Sequence, residues 1–238
     1  RFVTVGSVDD GKSTLIGRLL HDAHGVYDDQ LSAVRRASAR RNLAADPASA
    51  TAPGAAPAEE GDDAEIDFSL FTDGLRAERE QGITIDVAYR YFTTARRKFI
   101  LADTPGHVQY TRNMVTGAST ADVAIVLLDA RLGVLPQSRR HAYLASLLGI
   151  AHLAVAVNKM DLVGYDPAVY ARLRDDFAAF VAPLGFAAVT YFPISARRGD
   201  NVARPSTRTP WYDGPTLLHF LETVPLPQRN AHGPLRFP

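Results

Sequence analysis

Cysteine is absent from the 238 residues, which excludes disulfides, thiol nucleophiles and thiolate metal sites. Net charge is missing too. The 26 basic side chains balance 26 acidic ones, which argues against a surface built to hold polyanionic nucleic acid. No apolar run approaches the ~20 residues that a membrane helix needs, and no signal peptide is read at the start. The expectation is a soluble, cytoplasmic protein. Lysine is scarce, occurring only at positions 12, 98 and 159 against 23 arginines. In such a chain each retained lysine asks for a reason.

What is present is ordinary for a globular fold: 46% apolar and 22% charged residues, in a length that suits one or two domains. Short β-branched runs predict strands at 2–5, 84–92, 98–102, 123–128, 152–157 and 188–193. Helical patterns alternate with them at 12–21, 108–117, 137–148, 167–182 and 215–223. That alternation predicts an α/β fold with a mostly parallel, six-stranded sheet covered by helices on both faces. One pair departs from it. Only Thr93 to Arg97 separates two strand runs, too short for a crossover, so an antiparallel edge hairpin is expected. Residues 44–64 are rich in Ala, Pro and Gly without apolar period and read as a flexible insertion. Both ends look trimmed, as a fragment of a longer protein would.

Chemistry enters with Gly6-Ser7-Val8-Asp9-Asp10-Gly11-Lys12-Ser13-Thr14, placed between a strand and a helix. The spacing fits a phosphate loop. Gly6 and Gly11 let backbone N–H groups wrap an anion at a helix N-terminus, Lys12 brings a mobile charge, and the Ser13 hydroxyl suits Mg²⁺. A second element, Asp103-Thr104-Pro105-Gly106-His107, ends a strand. Alone it is an ordinary turn. After a phosphate loop, Asp103 suits Mg²⁺ through water, Gly106 suits close approach to a γ-phosphate, and His107 suits orientation of an attacking water. Thr84 is either the first residue of a strand or a second hydroxyl for Mg²⁺ in a loop that senses the γ-phosphate.

Asn158-Lys159-Met160-Asp161 follows an apolar strand. Asn158 can bond a purine edge, the Lys159 stem can lie along the ring, and Asp161 can accept from the N1–H and 2-amino group of guanine. Adenine lacks that donor pair. Ser195-Ala196-Arg197 after the last strand can complete the pocket with a backbone N–H for the purine oxygen.

In this order the elements resemble translation-factor-type GTPases along nearly the whole chain. The segments 6–15, 78–92 and 211–218 are similar to one branch, the GTPase subunit of bacterial sulfate adenylyltransferase. The resemblance implies a GTP-binding domain at 1–225, with 44–64 inserted in the first switch region. It also implies a linker at 226–238 leading into a β-barrel domain. It implies GTP and GDP as ligands, Mg²⁺ held by Ser13, Thr84 and, through water, Asp103, and catalysis by His107, Lys12 and Thr84. Asp9 matches a carboxylate that supports a monovalent cation in some relatives. The implied partner is a separate catalytic subunit that makes adenosine 5′-phosphosulfate from ATP and sulfate, with neither membrane nor nucleic acid involved. Some members also carry a C-terminal adenylylsulfate kinase. Two alternatives share the motifs: an elongation factor delivering aminoacyl-tRNA, and a module that holds GTP without hydrolysing it. Asp10 separates the first of these, since elongation factors usually place His there.

Overall fold

The computed structural model describes residues 1–23, 38, 66–68 and 86–226. The expected insertion at 44–64, Thr84 and the linker from 227 onward lie outside the described residues. Strand β1 (Phe2–Val5) leads through the phosphate loop into α1 (Lys12–Asp22). The edge hairpin follows as β2 (Ala88–Thr93) and β3 (Lys98–Asp103), then α2 (Thr111–Ala118) and β4 (Val123–Asp129). The chain continues with α3 (Pro136–Leu147), β5 (His152–Asn158), α4 (Pro167–Val181), β6 (Ala188–Pro193) and α5 (Leu217–Thr223).

The strands lie in the order β2-β3-β1-β4-β5-β6. All neighbouring pairs are parallel except the hairpin β2–β3. Strands β4 and β5 are buried along their whole length. Both their faces are covered, which is why they read as unbroken apolar runs rather than alternating ones. Successive side chains point to opposite faces, so two cores form. Phe2, Ile125 and Leu127 pack with Leu15, Ile16 and Leu19 of α1 and Leu217 and Leu221 of α5. Val3, Val126 and Leu128 pack with Met114, Ala142 and Phe177 of α2, α3 and α4.

Two boundaries differ most from the pattern in the sequence. Of the strand expected from residue 84, residues 84 and 85 lie outside the described residues and the strand begins at Ala88, after a bend at Asp86 whose carboxylate accepts the Val87 N–H. The helix expected from 108 opens as a 3₁₀ turn, Val108–Tyr110, in which the Tyr110 N–H returns to the His107 carbonyl. Connections leave β1 and β4 in opposite directions across the sheet. The crevice beyond their carboxyl ends is where ligands of such folds sit, and the motif loops among the described residues follow the carboxyl ends of β1, β3, β5 and β6.

Candidate functional site

The phosphate loop is shaped by two residues in the left-handed region, Asp9 (φ 66°) and Gly11 (φ 90°). No side chain caps the start of α1, so its first amides remain available to an anion. Lys12 is 7% exposed. Its Nζ donates back to the Gly6 and Ser7 carbonyls at 3.0 and 2.7 Å, spanning the loop. Burial lowers its pKa, while Asp10, Asp103 and Asp9 pull in the opposite direction. Asp10 turns inward, fully buried, and its Oδ2 accepts the Ser7 N–H at 2.5 Å. Burial pushes its carboxyl up to about 6, the Ser7 bond and Lys12 resisting. The loop thus carries a buried carboxylate under its own anion cradle.

Asp103 ends β3 opposite Thr4 of β1 and is 2% exposed. Thr104 next to it donates its hydroxyl to the Thr4 carbonyl at 2.8 Å, which seats the loop of residues 104–107 on the sheet. Gly106 explains itself here. A Cβ at that position would lie 2.3 Å from Lys12 Nζ and 2.5 Å from the Gly6 carbonyl. Only glycine lets the second loop lie against the phosphate loop. His107 is half-buried, and its Nδ1 accepts the Gln109 N–H at 3.3 Å. In the neutral ring that leaves the proton on Nε2.

The segment Asn158–Asp161, expected to read the base, is bolted to the phosphate loop across some 150 residues of sequence. Asn158 Nδ2 donates to the Asp10 carbonyl at 2.8 Å, and its Oδ1 accepts the Ala196 N–H at 3.0 Å. Lys159 takes a left-handed backbone (φ 64°). Its Nζ reaches the Asp9 carbonyl and, at 2.8 Å, the Asp129 carboxylate. Met160 is fully buried, with its N–H on the Ile194 carbonyl. Asp161 stands at the rim beside Arg198, 3.9 Å away. Ser195 closes its own turn by accepting the Arg198 N–H at 3.2 Å. Ser13 and Thr14 occupy the first turn of α1, half-buried. Among the described residues, the structure therefore brings all the expected elements to one edge.

Several residues with parts in this site were not apparent from sequence. Asp129 ends β4 in register with Asn158 and anchors Lys159. Arg131 grips the same carboxylate with Nε at 3.0 Å and Nη2 at 2.7 Å. Arg18 bonds the carbonyls of Ala196 and Arg197. Gln137 Nε2 reaches the Gly106 carbonyl at 3.4 Å and the ring of His141 at 2.9 Å. Burial holds His141 down at about 3, with Lys12 and Arg140 adding to it, so its ring is neutral. Beyond residues 195–197, Asp200 accepts from Tyr165 (2.5 Å), Ser206 (2.6 Å) and Arg208 (3.2 Å). That network ties the following turn to Tyr165. The available clue was weak: Arg18 shares the stripe of Leu15 and Leu19, and Asp129 ends an apolar strand.

Could the site hold Mg²⁺? A hydroxyl opens α1 and a buried carboxylate ends β3, both hard oxygen donors. Among the described residues no group of three acidic or histidine side chains could hold a metal alone. The donor set fits a hard cation that shares its coordination with phosphate oxygens and water.

Residues 1–225 match the family model of the elongation factor Tu GTP-binding domain. Bifunctional enzyme NodQ of Rhizobium meliloti (strain 1021) is 58% identical over all of this chain, which covers 34% of that protein. Sulfate adenylyltransferase subunit 1 of Cellvibrio japonicus (strain Ueda107) is 55% identical, again over all of this chain and 47% of its own length. The chain therefore spans less than half the length of these relatives. Among solved structures, the S. cerevisiae Ski7 GTPase-like domain bound to GTP superposes with a TM-score of 0.72 at 22% identity, covering 93% of this chain and 48% of that one. With a phosphate loop packed on a second Gly loop and residues 1–225 matched by that model, the chain belongs to the elongation factor Tu GTP-binding domain family and has the P-loop GTPase fold.

Proposed function

We propose that this domain binds and hydrolyses Mg-GTP to drive formation of adenosine 5′-phosphosulfate from ATP and sulfate by a partner catalytic subunit. The observation that carries the chemistry is the packing of Gly106 on Lys12 and Gly6. It supports a site in which the loop sensing the terminal phosphate moves against the group that binds it. The sulfate half of the reading rests on likeness to relatives named sulfate adenylyltransferase subunit 1. Asp10, buried where elongation factors usually place His, favours that branch over tRNA delivery.

In this reading the loop amides of residues 6–14 and Lys12 hold the phosphates. Magnesium bound to Ser13, Thr84 and, through water, Asp103 would offset charge on the terminal phosphoryl oxygens. His107 orients water once its ring leaves the Gln109 N–H. Asn158, Lys159, Asp161 and residues 195–197 read guanine. Asp9, exposed beside the loop, is where a monovalent cation would sit. Rate acceleration comes from positioning and charge stabilisation. No helix among the described residues is long and apolar enough to cross a membrane, and we place the protein in the cytoplasm. Residues 1–225 form the nucleotide domain, and 226–238 lead to a following β-barrel domain.

The test is GTP turnover by the full-length protein with and without the catalytic subunit, ATP and sulfate. Stimulation is expected; its absence sinks the coupling. Binding of aminoacyl-tRNA by the same protein would instead support the elongation-factor reading.

A further inference from the structure

Arg18 lies on α1 behind the phosphate loop, yet it is 2% exposed. A guanidinium in that setting is costly unless its donors are satisfied. They meet the loop after β6. Nε donates to the Ala196 carbonyl at 3.3 Å and Nη2 to the Arg197 carbonyl at 2.7 Å. Nη1 lies 3.6 Å from Asp22, one turn along the helix. The Phe68 ring covers the guanidinium, its centroid 4.0 Å from Cζ. Gly199, with φ +81°, closes over it as well, since a Cβ there would lie 3.3 Å from Cζ.

The consequence follows from peptide geometry. A planar trans peptide points its C=O and the next N–H in opposite directions. Fixing the Ala196 carbonyl inward therefore fixes the Arg197 N–H outward. Fixing the Arg197 carbonyl likewise sets the Arg198 N–H, which closes on Ser195 Oγ. We propose that Arg18 is a positioning residue for guanine recognition, holding two loop carbonyls so that the Arg197 N–H faces the six-position oxygen of the base. The assignment rests on the base pocket proposed above. It also joins the phosphate-binding helix to the base-reading loop. Phe68 extends the link to the segment that follows the insertion. A lysine would have to bring a single ammonium to both carbonyls, whereas the planar fork meets them separately through Nε and Nη2.

The test measures dissociation constants of GDP, IDP and ADP on the full-length protein by competition. GDP and IDP both carry the six-position oxygen, while only GDP carries the 2-amino group that Asp161 would read. Arg18→Met is expected to weaken GDP and IDP by the same factor, about tenfold, the scale of one hydrogen bond. ADP binding should stay constant, so the GDP/ADP preference falls while the GDP/IDP preference holds. A folded variant that keeps the GDP/ADP preference overturns the proposal. So does equal weakening of all three, which would assign Arg18 to the fold or the phosphate loop. Where Arg18→Met does not fold, Arg18→Lys and Phe68→Leu decide on the same ratio, with about a threefold fall expected and no change overturning it. A wild-type protein that binds GDP and ADP alike overturns the base pocket, and Arg18's role with it.

Discussion

Replacing Asp129 by Asn tests how Lys159, proposed to read the base, is held. The carboxylate is 1% exposed and accepts from the Arg131 N–H (2.9 Å), Arg131 Nε and Nη2, and Lys159 Nζ at 2.8 Å. Burial alone would push its pKa up. The hydrogen bonds from Arg131 and Lys159 outweigh that and hold it at about 2, against an ordinary 3.8. The lowering corresponds to roughly 2.5 kcal/mol of folded-state stabilisation at neutral pH. Because the folded pKa is the depressed one, that stabilisation is complete above about pH 4 and is lost as pH falls towards 2. Asn keeps the shape but removes the charge. Arg131, 45% exposed, can turn to water, so the expected loss is nearer 2 kcal/mol, or about 4–8 °C in Tm for a domain of this size. Lys159 also loses its anchor, and GDP affinity should fall about threefold to tenfold. Thermal unfolding of wild type and Asp129→Asn from pH 8 to pH 3, with GDP titrations at pH 7, reads both effects. The gap in Tm should be constant above pH 5 and narrow below pH 4. A gap that is absent, or that persists undiminished at pH 3, refutes the electrostatic account; unchanged GDP affinity refutes the positioning of Lys159.

Other changes probe neighbouring parts. Asp161→Asn should weaken GDP by about 2–3 kcal/mol and improve xanthosine diphosphate, whose 2-oxo group matches the new amide; isothermal titration with both nucleotides checks it. His107→Ala should lower GTP turnover at least tenfold while GTP affinity stays within a factor of two, and unchanged single-turnover rates would reassign His107 to capping its 3₁₀ turn. Asp10→Asn should stabilise the nucleotide-free protein above pH 6. The wild-type carboxylate, raised to about 6 by burial, carries its penalty only when ionised, so the advantage should shrink as pH falls below 6; a gap in Tm that ignores pH would overturn this. Gly106→Ala should impair GTP binding at least tenfold through its clash with Lys12 and Gly6, read by nucleotide titration, and near-normal affinity would show that the two loops separate freely.

Much of the architecture was legible because it follows local rules. The phosphate loop announced itself by glycine spacing, and the edge hairpin by a gap too short for a crossover. The continuous apolar runs of β4 and β5 marked the buried centre of a parallel sheet. Less legible was anything that depends on a distant partner. Asp129 was not singled out in the sequence, and only the structure sets Lys159 and Arg131 on it. Arg18 was not singled out either, since its partners stand 178 and 179 residues away. The delayed start of β2 also escaped, since one side chain bending its own backbone outweighed the β pattern. Lys98, exposed at the start of β3, is explained by nothing in the structure.

Scarcity of lysine proved informative on its own terms. The sequence by itself marked the segments proposed to carry phosphate and base chemistry, because loop geometry, a compact ammonium and a carboxylate at set spacings are properties of short segments. It also determined the sheet, through the period of its apolar residues. Only the tertiary structure decided how those segments become one site. The Lys12 ammonium serves the Gly6 and Ser7 carbonyls beside Gly106, Lys159 is tied to Asp9 and Asp129, and Asn158 clamps Asp10 to Ala196. The bonds of Asn158 and Lys159 to the phosphate loop join residues brought together by strand order and register, and a hydrogen bond formed that way leaves no period in the chain.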